Sequence, residues 1–186
     1  MASDVPSDHV AAVRAAVAAR DPVDAREAES VRRFLAELER LPAPLDEHAD
    51  PVHVTASAIV VGPRGVILHL HRRLQIWVQP GGHIDAGEPP WDAALREAVE
   101  ETGLAVRHPD RGPVVVHVDV HPGGRGHTHL DLRYLLLAGP EDPAPPEGES
   151  QEVHWFPWDE AIARADPGLE GALRALRPGD EWPDQP

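Results

Sequence analysis

The sequence predicts an α/β fold, with a mixed β-sheet held between helical layers and a helical extension ahead of it. Three observations carry this. Helical periodicity fills the first 41 residues. From Val52 the pattern changes to β-branched and apolar runs separated by turn residues. One helical segment, between Pro89-Pro90 and Gly103, interrupts the strands, and two more close the chain.

Residues 7–20 and 24–41 read as two helices. Ser7 or Asp8 is the candidate cap of the first, and Asp21-Pro22 breaks the pair. In the second, Val31, Phe34, Leu35, Leu38 and Leu41 recur at helical spacing and form an apolar stripe, suited to a core or a homodimer interface. Pro42 to Pro51 is a linker by composition. The division expected is a helical extension and linker at residues 1–50 and an α/β domain at 51–186.

Val54 to Val61 reads as a strand, Gly62-Pro63-Arg64-Gly65 as a turn, and Val66 to His71 as the partner strand. Ile76 to Val78 is a short strand running into Pro80-Gly81-Gly82. A helix follows, with prolines suited to its start and Gly103 to its end. Val114 to Val120 and Leu130 to Leu137 are further strands joined by a glycine-rich turn at residues 122–126. Residues 139–150 read as a surface loop, Val153 to Phe156 as a last strand, and Trp158 to Ala165 and Leu169 to Leu176 as closing helices.

At 186 residues the chain is long enough to bury a core. All 17 of its Lys+Arg residues are arginine, and the formal charge is −15. That balance argues against a nucleic-acid polymer as partner, because tracking phosphates requires a basic face. A small phosphorylated molecule still fits, since metal ions and local arginines invert the sign at a site. The absence of cysteine excludes disulfides, thiolate ligands and a Cys nucleophile. No apolar run reaches membrane-spanning length and no leader pattern opens the chain, so a cytoplasmic protein is expected.

Residues 82–104 carry the most specific signal. Glu97, Glu100 and Glu101 stand at i, i+3 and i+4, which places their carboxylates on one face of a helix. Unpaired, they repel one another, and hard cations such as Mg²⁺ or Mn²⁺ relieve that repulsion. With Gly82, Glu88, Arg96, Gly103 and Leu104 the stretch resembles the Nudix signature G-x5-E-x7-R-E-U-x-E-E-x-G-U, where U is bulky and aliphatic. One position departs: the first U is Ala98, which concerns packing more than chemistry.

The resemblance implies a Nudix α/β/α sandwich and hydrolysis of the diphosphate linkage of a nucleoside diphosphate derivative. It implies that Glu97, Glu100 and Glu101 bind the metal, with Gly82 letting the backbone approach. Arg96 would hold a motif carboxylate in place, and Glu88 and His83 would support the cluster. The base is either Glu97 or a loop glutamate. Among Glu147, Glu149 and Glu152, Glu152 is preferred as an extra ligand or base, although a solvated role suits it equally. Since exposed ligand carboxylates add little to stability, Glu100→Gln or Glu101→Gln should abolish turnover and spare the fold.

The 12 histidines alternate in three places: His69 and His71, His117 with Asp119 and His121, and His127 and His129 with Asp131. Three readings stand: solvent-facing histidines, a lining of the substrate site, and a separate zinc, nickel or iron site. Arg73, Trp77, His127 and His129 are the candidate substrate contacts, with core packing the favoured role of Trp77.

Subfamily marks outside the box do not choose a substrate. The Ser-Gln-Pro-Trp signature of NADH pyrophosphatases is missing, Pro122 is displaced from the ADP-ribose position, and Tyr134 lies too far along for dinucleoside polyphosphates. Nucleoside triphosphates, nucleotide sugars and ADP-ribose-type compounds stay open. A Nudix-fold isopentenyl diphosphate isomerase would need a cysteine that is absent. The alternative from another class is a nucleotide sensor or interaction module with little turnover. The complete carboxylate set argues against it.

Overall fold

The computed structural model describes residues 5–178. Two helices come first, α1 (Val5–Ala18) and α2 (Ala25–Arg40). Helix α1 already includes Ser7 and Asp8, so both lie in its first turn and neither is its cap. Asp24 caps α2, its side chain accepting from Glu27 N–H at 2.8 Å. The strands β1 (Val52–Gly62), β2 (Gly65–Leu70), β3 (Trp77–Val78) and β4 (Gly81–Gly82) precede α3 (Pro90–Thr102). Then come β5 (Val106–Arg107), β6 (Val115–Pro122), β7 (Thr128–Ala138), β8 (Val153–Phe156), α4 (Trp158–Arg164) and α5 (Pro167–Leu176). The predicted elements are present. Two short strands, β4 and β5, go beyond them, and β4 consists of two glycines, which carry no strand pattern.

The sheet is mixed. β1 runs parallel to β7 from Val52 opposite Thr128 to Val61 opposite Leu137. The other pairings between these strands are antiparallel: β1 with β2 and β4, β2 with β3 and β8, and β7 with β5 and β6. The two faces of β1 serve two cores. Val54, Ala56, Ala58 and Val60 join Leu130, Leu132 and Leu136 of β7 and Ala93, Ala94 and Ala98 of α3. Ile59 points the other way, into a second core with Val66, Leu68, Phe156, Ile162, Leu169 and Leu173. The arrangement is an α/β/α sandwich. Ala98, the small residue at a usually bulky position, is fully buried in the core that also holds Ala56 and Ala58. Helix and strand thus meet through small side chains.

Helices α1 and α2 are built into this core. Phe34, Leu38 and Leu41 of the apolar stripe are buried with Val13 and Val17 in the first core, so that face is covered by the chain itself. Helix α2 also closes the edge of β6. Val118 N–H donates to Glu27 Oε1 at 3.0 Å and Val120 N–H to Ser30 Oγ at 3.1 Å, which satisfies amides an edge strand would leave open. Among the described residues, no helix is long and apolar enough to cross a membrane.

Candidate active site

Helix α3 positions the carboxylates. Its alanine face is buried, so Glu97, Glu100 and Glu101 turn outward together. Two glycines allow the close contacts around it. A Cβ on Gly82 would stand 2.6 Å from the Glu97 carboxyl carbon, so the loop backbone lies directly against that carboxylate. At the other end Gly103 adopts φ 67°, and a Cβ there would meet the Ala144 carbonyl oxygen at 2.0 Å.

Arg96 gathers the cluster. Its Nε and Nη2 each donate to Glu88 at 3.0 Å, to Oε1 and Oε2 respectively, as a two-pronged pair. Nη1 donates to Glu97 Oε1 at 2.7 Å and to Glu100 Oε2 at 3.4 Å, and Nη2 also reaches the His83 carbonyl oxygen at 2.9 Å. Glu88 accepts a further bond from Asp85 N–H at 3.0 Å. Burial works to raise the Glu88 carboxyl, but the Arg96 pair and the Asp85 amide outweigh it and hold it below its ordinary value.

Glu97 and Glu101 differ from Glu88. Their side chains are 17% exposed, against 55% for Glu100. The expectation of exposed ligand carboxylates is therefore corrected for Glu97 and Glu101: packing against β4 covers them. Burial raises Glu97 despite Arg96, and raises Glu101 to about 8, with only Gly81 N–H, 2.8 Å from Oε2, to offset it. Three carboxylates, Glu88, Glu97 and Glu100, share the Arg96 guanidinium, and Glu101 does not reach it. The donors are oxygens, and the buried pair lacks a full charge partner, so the set fits a hard divalent cation.

A cavity of about 690 Å³ opens beside Glu101, bounded by Gly81, Gly82, His69 and Arg73. Its floor is a buried polar layer on β1 and β7. Asp131 accepts from Thr55 Oγ1 at 3.1 Å, Ser57 Oγ at 2.8 Å and Arg133 Nε at 3.2 Å, and Gln79 Nε2 lies 3.4 Å away. Arg133 also reaches Asp119 at 3.4 Å, His117 Nδ1 at 3.3 Å and the Gly168 carbonyl. Arg26 of α2 pairs with Asp119 at 3.2 Å. A larger cleft of about 930 Å³ lies around Val61, Arg64 and Arg107. It touches none of the carboxylates, so the chemistry assigns the smaller one.

Of the residues singled out in the sequence, Gly82, Glu88, Arg96, Glu97, Glu100 and Glu101 come together, with His83 beside them. Arg73, His83 and His129 line the cavity. Trp77 does not: it packs edge-on against Phe156 at 4.8 Å, under Arg164, at the second core. Glu152 also lies off the cavity lining, 63% exposed and 3.2 Å from His154 Nε2. Glu149 is the loop acid whose charge reaches Glu101. Members of all three histidine alternations line this cavity: His69 and His71, Asp119 and His121, and His129 and Asp131, with His117 and His127 outside the lining. His69 approaches Glu101 at 3.8 Å, His71 Nδ1 accepts from Leu74 N–H, and His117 is buried beside Arg133. His127 and His129 instead meet His53 and His83. Of the polar floor, the sequence singles out Asp119 and Asp131 but not Thr55, Ser57 or Arg133. Thr55 and Ser57, and Asp131 and Arg133, are polar at alternate positions of otherwise apolar strands, and that was the available signal.

The NUDIX domain model matches residues 51–176. An asymmetrical bis(5'-nucleosyl)-tetraphosphatase of Caenorhabditis elegans is 29% identical over 101 residues, covering 52% of this chain and 70% of that protein. An ADP-ribose pyrophosphatase of Mycobacterium tuberculosis is 34% identical over 95 residues, covering 48% of this chain and 43% of the relative. Among solved structures, a NUDIX-family hydrolase from Clostridium perfringens superposes with a TM-score of 0.57 at 28% identity, over 67% of this chain and 98% of that one. With the family model spanning most of the chain and the carboxylate helix standing where that family's signature lies, the protein belongs to the Nudix hydrolase family.

Proposed function

We propose that the chain is a metal-dependent pyrophosphohydrolase that cleaves the diphosphate linkage of a small nucleotide-type substrate: a nucleoside triphosphate, a nucleotide sugar or an ADP-ribose-type compound. The observation that carries this reading is the incompletely neutralised carboxylate cluster opening on a cavity with a polar floor. Names of relatives acting on dinucleoside polyphosphates and ADP-ribose support the nucleotide class.

In this reading Glu97, Glu100 and Glu101 hold Mg²⁺ or Mn²⁺, with Gly82 giving the close backbone approach. A cation held there would supply charge neutralisation of the diphosphate and a lowered pKa for the attacking water. Arg96 fixes Glu97 through Oε1, leaving Oε2 to accept the water proton as the new oxygen–phosphorus bond forms and the bridging bond breaks. Arg73 and Gln79 are placed to contact the phosphates or the leaving group from the cavity wall. We also propose that residues 1–50 act as a helical cover of the domain at 51–186, since α2 supplies Arg26 to the cavity floor.

The test is a phosphate- and pyrophosphate-release screen with Mg²⁺ and with Mn²⁺. Its panel holds nucleoside triphosphates, nucleotide sugars, ADP-ribose and dinucleoside polyphosphates, with Glu101→Gln as the blank. Turnover of one class that vanishes in the blank is expected. Nucleotide binding with no turnover across the panel would replace this reading with the sensor one.

A further inference from the structure

Four histidines that the carboxylate chemistry leaves unused converge at a second point. His53 lies near the start of β1, His83 follows β4, and His127 and His129 stand where β7 begins. One ring nitrogen of each lies within 4.8 Å of every other. Around His53 the ring centroids of His127, His83 and His129 sit at 5.0, 5.1 and 5.3 Å.

Ring packing alone does not account for the nitrogens. Among the described residues, Nε2 of His53 and Nε2 of His83 are buried without a hydrogen-bond partner. Leaving a buried polar atom unpartnered is costly, so a partner is expected. The opposite nitrogen of each ring is engaged. His53 Nδ1 lies 3.1 Å from the Asp50 carbonyl oxygen, and His83 Nδ1 lies 3.1 Å from Glu47 Oε2. A carbonyl only accepts, so His53 Nδ1 carries the hydrogen and Nε2 keeps its lone pair. The Glu47 carboxylate faces the same nitrogen of His83 as a charge contact. An imidazole held at one nitrogen by a carbonyl or carboxylate, with the other bare, is arranged as a metal ligand. Gly123 leaves the room that His129 needs, since a Cβ there would stand 2.3 Å from its Nε2.

We propose that His53, His83, His127 and His129 bind one divalent first-row transition ion, Zn²⁺ first among them. Four neutral imidazoles suit such an ion and not hard Mg²⁺, so this site differs in its donors from the glutamate cluster. Tetrahedral zinc with bonds of about 2.0–2.1 Å sets its nitrogens roughly 3.3 Å apart, so the rings close by about an ångström or more on binding. The ion ties the start of β1, the loop before α3 and the turn before β7 to one point. Through Glu47 it also engages the linker. Because the His83 carbonyl accepts from Arg96, the ion steadies the carboxylate cluster from behind. The inference does not depend on which substrate is hydrolysed, or on hydrolysis at all.

The experiment uses untagged full-length protein stripped with a chelator. Zn²⁺ is titrated against a chromogenic indicator in excess Mg²⁺, and Co²⁺ is added separately to record its visible spectrum. One Zn²⁺ per chain is expected, with a tetrahedral Co²⁺ spectrum. His53→Gln and the partly exposed His127→Gln should each weaken binding by about 100-fold, with circular dichroism confirming that His127→Gln is folded. Glu101→Gln should bind Zn²⁺ as the parent does. Absence of stoichiometric binding would overturn the proposal. So would binding that survives both histidine variants and is lost in Glu101→Gln, which would put the ion among the carboxylates.

Discussion

Arg96 donates from Nη2 to the main-chain carbonyl of His83 at 2.9 Å, so the guanidinium that gathers the carboxylates also fixes the loop in front of them. The same group forks onto Glu88 and reaches Glu97. An ammonium is a point donor and cannot fill this planar pattern. Arg96→Lys is therefore expected to lower kcat by about 100-fold and weaken Mg²⁺ by about tenfold or more. Steady-state kinetics across a Mg²⁺ titration check this, and a variant within twofold of the parent would remove Arg96 as the organiser.

Glu101→Gln tests the cation assignment. The amide oxygen can still accept from Gly81 N–H, and the change removes a buried carboxyl that lacks a full partner. Turnover should fall by at least about 100-fold while Tm stays within about 3 °C of the parent, or rises. Calorimetry without metal and a turnover assay decide it. A large drop in Tm would mean that Glu101 holds the fold together.

The box was legible because its chemistry is written at fixed spacing along one helix and the loop before it. Gly82 through Gly103 form one local unit, and Arg96 needs to travel only as far as Glu88 and His83. The polar floor was not legible in the same way. Asp131 meets Thr55 and Ser57 across 76 and 74 positions, and Asp119 meets Arg26 across 93. The first two exist only once β1 and β7 have found their parallel register, and the third only once α2 has docked on β6. His53 was missed for the same reason: alone at the start of a strand, it carries no spacing signal. Trp77 and Glu152 each carried two readings, and the structure gives Trp77 the core packing that was favoured and Glu152 the solvated role.

His117 gives the fold a pH dependence. It is buried against Arg133 of β7, with Glu27 of α2 and the strand residues Asp119 and Asp131 facing it, and burial pushes it down to about 4. Arg133 donates toward its Nδ1, so the neutral ring is the form that fits. Between pH 6.5 and 4 the unfolded chain takes up the proton and the folded chain does not. Stability from this residue is thus present above 6.5 and is lost as pH falls toward 4. His69, lowered by burial to about 4, acts in the same sense. Urea unfolding at pH 7 and at pH 4.5 should differ by on the order of 2 kcal/mol from His117, and His117→Gln should reduce that difference. An unchanged difference would show that the ring titrates normally.

The last prediction concerns the helical cover. Glu27 is fully buried on α2 and answers four donors: Arg20 Nε at 2.9 Å and Nη2 at 3.2 Å, Val23 N–H at 2.7 Å and Val118 N–H at 3.0 Å. Removing it leaves a guanidinium and two amides without their acceptor, one of them on the edge of β6. Glu27→Ala should therefore cost about 3–5 kcal/mol. Glu27→Gln, which keeps one accepting oxygen and the side-chain volume, should cost less. The neighbouring Arg26→Ala should have the opposite profile. Arg26 is nearly half exposed and its partner Asp119 keeps Arg133, so little stability is lost, while the cavity floor loses one cation. Denaturant unfolding of the three variants checks the order. If Glu27→Ala is as stable as the parent, α2 is an appendage and the cover reading fails. If it is the weakest of the three, the extension and the sheet unfold as one body.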